Sequence, residues 1–135
     1  MSYALRCRNA ELEDWTWGAF SWYMVLEMGL GWPVGYTNGI EPGSFIFTPD
    51  SRGLCIAYND GANVTAKQAK QMAQIARWIV EAGRARINAW EKLTPERRAQ
   101  HEKNEYVKKP YGKDFLDRLE KFAEWLEKSG GFNVH

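Results

Sequence analysis

The stretch "WTWGAFSWYMVLEMGLGW", residues 15–32, holds four of the seven tryptophans of this 135-residue chain and a single charge, Glu27. It reads as a membrane span, an aromatic ligand box or the middle of a core, and the choice decides the fold. A spanning helix needs about 20 mainly apolar residues, whereas this window has 18, with three glycines inside it and Pro33 directly after it. A core helix fits better. Thr16 is the expected N-cap, Trp17 to Met28 contains no proline, and "GLGWPVG" is a stop signal. Two apolar sets fall at helical spacing, Trp15, Ala19, Trp22 and Leu26 on one stripe and Trp17, Phe20, Met24 and Met28 on another. A helix apolar on most sides is either buried or bound to a partner.

Glu27 is the odd residue there. A carboxylate among Met24, Val25, Leu26 and Met28 lies at a solvent edge, is paired, or works as a general acid or base. The last reading needs a nucleophile or second carboxylate that the sequence does not place.

Working outward, "WPVGYTNGIEPG" (32–43) is turn chemistry, and its glycines lack the Gly-Lys-Ser/Thr ending of a phosphate loop. "SFIFT" (44–48) and "LCIAY" (54–58), separated by "PDSRG", predict a hairpin. Thr65 then caps a helix from Ala66 to about Gly83, extendable to Trp90, whose apolar stripe is Ala69, Met72, Ala73, Ala76, Ile79 and Val80. Its outer row, Lys67, Lys70, Gln74, Arg77 and Arg84, is a candidate partner face or a plain solvated face. Thr94 and Pro95 open a short helix carrying His101. "YVKKPYGK" (106–113) interleaves tyrosine with lysine, the composition of a nucleic-acid contact. The final helix buries Phe115, Leu119, Phe122 and Leu126, and its i,i+4 pairs Asp114 with Arg118, Asp117 with Lys121 and Glu124 with Lys128 suggest a self-neutralised face. Gly130 and Gly131 stop it, and residues 132–134 are expected to add an edge strand to the hairpin.

Charge is lopsided. Residues 1–65 carry three Lys or Arg against seven Asp or Glu, and residues 66–135 carry fifteen against ten, although the whole chain is only +1. Such asymmetry makes a charged-partner face worth considering without establishing one. Cys7 and Cys55 have no zinc-type spacing, so no metal or cofactor is expected, and the start lacks the apolar run of a secretory leader, which points to the cytoplasm.

Three features, the tryptophan-rich segment leading into "GWPVGYTNG", the "YNDGANVTAKQAKQMA" turn into a helix, and the "WLEKSGGFNV" ending, together resemble a loosely defined set of short, uncharacterised bacterial and phage proteins. The resemblance implies an intracellular prokaryotic or viral setting and one compact domain over 1–135. It brings no activity, cofactor or catalytic residue with it.

The expected fold is α+β, three to four helices packed around a small two- to three-stranded antiparallel sheet. Three functions stay open. The first is a non-enzymatic protein-binding module, such as a phage- or prophage-type inhibitor of a host or rival protein, with a homodimer also compatible. The second is a small-ligand or nucleotide-binding protein with Trp15, Trp32 and Tyr36 as an aromatic pocket and Arg84 or Arg86 on a phosphate. The third is nucleic-acid binding through the basic helix face. An enzyme rests on Glu27 alone.

Overall fold

The computed structural model describes residues 2–135. Tyr3, Leu5 and Cys7 alternate with Ser2, Ala4 and Arg6, the period of a half-buried strand, and Ser2–Cys7 is strand β1. The same alternation in Trp15-Thr16-Trp17 makes strand β2 (Trp15–Gly18), paired antiparallel to β1 with Tyr3 opposite Trp17 and Leu5 opposite Trp15. This corrects the helix expected from Trp17 with Thr16 as its cap. Residues two apart share one face of a strand but point to nearly opposite sides of a helix, so only a strand aims both indoles at the core.

The chain converts at Gly18, the N-cap of helix α1 (Ala19–Val25), which runs on through a π turn (Leu26–Leu30) and a 3-10 turn (Trp32–Val34). Trp22, Val25, Leu26 and Leu30 are buried, while Phe20, expected on an apolar stripe, is 93% exposed.

The expected 44–58 hairpin does not form. Phe45–Ile46 (β4) pairs instead with Thr37–Asn38 (β3) in a separate two-stranded ribbon. Cys55, Ile56 and Ala57 are buried without joining a sheet. Buried carbonyls need partners, and here side chains supply them: Trp22 Nε1–H donates to Ile56 O at 3.0 Å and Tyr3 O–H to Ala57 O at 3.0 Å.

Strand β5 (Ala62–Thr65) leads into helix α2 (Ala66–Glu91), followed by α3 (Pro95–Glu102), α4 (Lys113–Lys128) and strand β6 (Gly131–Val134). A full capping box starts α2: Gln68 N–H donates to Thr65 Oγ1 at 3.1 Å and Thr65 N–H to Gln68 Oε1 at 2.9 Å. The main sheet has four antiparallel strands in the order β2-β1-β6-β5. The fold is thus α+β, with a larger sheet than expected, and β6 is an interior strand of it, not an edge strand of the ribbon.

One sheet face, with Tyr3, Leu5, Trp17, Val64, Phe132 and Val134, is buried under the helices. Ser2, Arg6, Thr16, Asn63 and Asn133 alternate onto the other. At Gly83 α2 comes close to α4, where an added Cβ would meet Leu116 at 2.9 Å. Among the described residues no helix is long and apolar enough to cross a membrane.

Candidate functional site

The row on α2 divides in two. Lys67, Lys70 and Gln74 are exposed, but Arg77 grips Glu127 with Nε and Nη2 at 2.6 and 3.1 Å. Arg84 reaches Glu120 at 2.8 and 3.2 Å and Asp117 at 3.0 Å. The arginines hold the Glu127 and Glu120 carboxyls below the usual carboxylate range. Hence the α4 carboxylates neutralise α2, which corrects the expected pairing within α4. Arg118 instead lies over the Trp17 and Trp15 rings at 4.7 and 5.5 Å and donates to Thr16 O at 2.6 Å.

Trp15, Trp32 and Tyr36 do not share a cavity. Trp15 packs on Phe122, Trp17 and Trp125 at centroid distances of 5.2, 5.7 and 6.3 Å. Tyr36 is buried and stacked on Phe45 at 5.0 Å, its phenol pushed up to about 12 by burial and then by the charge of Glu27. Trp32 is 72% exposed and borders a cleft of about 500 Å³ with Thr48, Asp50, Asn63 and Gln68.

The Asp50 carboxylate in that cleft is occupied structurally. It accepts from the N–H groups of Arg52, Leu54 and Asn63, each at 2.9 Å. Desolvation alone would raise its pKa, but these three donors outweigh it and hold the carboxyl low. Glu27 is exposed on the wall of a shallow cleft of about 250 Å³ beside residues 38–44. Among the described residues no three His, Cys, Asp or Glu side chains gather as a metal set.

A larger concavity lies elsewhere, on the arm formed by the last turns of α2, by α3 and by the run up to α4. No residue of α3 is buried, so this helix adds little to the core. Past Gly83 the α2 stripe continues through Ile87 and Trp90, then Leu93, each half-buried. Trp90 meets His101 at a centroid distance of 6.3 Å, Lys109 Nζ lies 3.3 Å from Glu102, and Tyr111 rests on Phe115 at 5.5 Å.

Between them is a cleft of about 780 Å³. Its half-buried lining residues, Trp90, Leu93 and Pro110, are all apolar, while Arg86, Lys108 and Lys109 stand exposed around it. Residues 84–113 hold nine Lys or Arg against four Glu, so the entire +5 excess of the second half sits on this arm.

The sequence marks 106–113 and Arg86 as candidates, whereas Trp90 stands there only as the far end of a helix and His101 as one residue of a short charged helix. The signal for Trp90 lies in the chain, an apolar spacing through Ile87, Trp90 and Leu93 carried past the point where the core stripe ends. No protein family, curated protein or solved structure matches the chain.

Proposed function

We propose that the chain is a small, non-enzymatic protein-binding module, and that the arm is its docking element. The observation that carries this reading is a cleft lined by tryptophan, leucine and tyrosine where the end of α2 and the run 107–111 meet α3, a helix with no buried residue. Aromatic and arginine side chains are the usual anchors of interfaces, and Trp90, Tyr111 and Arg86 all border this cleft. Two free cysteines fit a reducing cytoplasm. The resemblance to short phage proteins suggests an inhibitor that acts by occupying its target.

The small-ligand reading keeps one point in its favour, since the cleft volume of about 780 Å³ falls in the range of ligand pockets. Native mass spectrometry after affinity capture from the lysate of the producing cell separates the two. An added protein mass that is retained by the wild type and lost in Trp90→Ala supports the module. An added mass of a few hundred daltons supports the ligand pocket, and capture unaffected by arm substitutions removes the arm from the reading.

A further inference from the structure

We infer that the arm cleft takes an acidic peptide segment carrying an apolar anchor, the anchor entering between Trp90, Leu93 and Tyr111 and the flanking carboxylates meeting Arg86 and Lys108. The inference rests on the protein-binding reading and names the partner's chemistry. Charge complementarity argues it. Lys109 is already engaged by Glu102 at 3.3 Å, whereas Arg86 and Lys108 have no carboxylate within salt-bridge reach among the described residues. Two uncompensated cations beside an apolar recess select a ligand that brings its own carboxylates on either side of a hydrophobic side chain.

A nucleic-acid strand fits less well. A polyanion needs a continuous track of free cations, and the track along α2 is interrupted where Arg77 and Arg84 are neutralised by Glu127, Glu120 and Asp117. Those carboxylates, with Glu124 on the same helix, would repel a strand continuing past the arm. Trp90 is also half-buried against His101, which restricts it as a stacking platform. A short segment whose charges reach only the arm avoids both problems.

The test is fluorescence anisotropy of the full chain with short fluorescein-labelled peptides holding a Leu-Phe pair, flanked either by glutamates or by lysines, and with a labelled single-stranded oligonucleotide. The expected result is saturable binding of the glutamate peptide that weakens with salt. It should fall by about tenfold or more when Arg86→Glu and Lys108→Glu are combined, fall in Trp90→Ala, and stay unchanged when Lys67→Glu and Lys70→Glu are combined. Melting temperatures of all variants are measured alongside, so that a folding defect is not mistaken for lost binding.

Equal affinity for the lysine peptide would overturn the acidic class while leaving the cleft a protein-docking site. Tighter binding of the oligonucleotide than of either peptide, lost in Trp90→Ala and in the combined Arg86→Glu and Lys108→Glu variant, would overturn both readings. No binding by any probe would overturn the inference alone, since the captured-complex measurement above tests the module independently.

Discussion

Trp22 Nε1–H donates to the Ile56 carbonyl oxygen at 3.0 Å, and both residues are buried. Thirty-four positions apart in sequence, they join α1 to a core segment that has no sheet partner. Trp22→Ala removes the indole from a site with no exposure and should cost about 3 to 5 kcal/mol in urea unfolding. Trp22→Phe keeps most of the packing but leaves Ile56 O unpaired, for about 1 to 3 kcal/mol. Near-native stability of the alanine variant would contradict the burial.

Asp50 ties the loop before β5 to that strand through three backbone donors. Asp50→Asn replaces one acceptor oxygen with a donor group and should lose about 1 to 2 kcal/mol at neutral pH, as expected for hydrogen bonds to a charged acceptor. Because the folded-state pKa is depressed, the stabilising contribution is complete above the ordinary Asp range near 4 and fades as pH falls through the folded value. The gap between wild type and variant should therefore narrow below about pH 4. A pH-independent gap in chemical denaturation would point to a packing effect instead.

Lys70 and Arg77 lie on one exposed row of α2 but should respond differently to charge reversal. Lys70→Glu is expected to leave the melting temperature unchanged. Arg77→Glu places a carboxylate against Glu127 and near Glu124 and should lower stability by about 0.5 to 1 kcal/mol, the scale of half-exposed ion pairs. The loss should shrink at high salt. Equal behaviour of the two variants would mean that the Arg77–Glu127 pair contributes nothing.

Gly131 opens β6 at φ +96°, in the left-handed region, and a Cβ there would lie 2.7 Å from Val64 O and 3.0 Å from Ala66 N. The obstacle is the neighbouring backbone on either side of Thr65, together with the Arg8 guanidinium. Gly131→Ala should cost more than the roughly 1 kcal/mol of conformational strain alone and separate β6 from β5. Hydrogen exchange at Val64 and Phe132 reads this directly, and protection equal to wild type would overturn it.

Gly83 is a milder case. The nearest atoms to an added Cβ are the Leu116 methyl carbons at 2.9 Å, which belong to a fully buried side chain. Gly83→Ala should cost about 1 to 3 kcal/mol by overpacking the α2–α4 contact, less any gain in helix propensity.

Where a signal is local, the chain alone was enough. Thr65 with Gln68, Thr94 with Pro95, and the apolar stripes of α2 and α4 act within one or two turns of their own helices, and each appears where its spacing predicts, except that Ile79 and Phe115 are half-buried and Leu116 and Trp125 are buried in α4. The alternation in Ser2–Cys7 and in Trp15-Thr16-Trp17 is just as local, yet the indole-rich window carries a helical spacing too, and only pairing with β1 favours the strand. Tertiary structure decided the rest. Residues 54–58 stay out of a sheet, with Tyr3 and Trp22 satisfying the Ala57 and Ile56 carbonyls, and β6 is interior because β1, more than a hundred residues earlier, lies beside it. Arg77 and Arg84 lose their freedom to carboxylates 50 and 33 to 36 positions away. The arm cleft likewise forms only when α3 folds back towards the end of α2. Such contacts depend on which distant groups meet, and periodicity and capping along one segment carry no information about that.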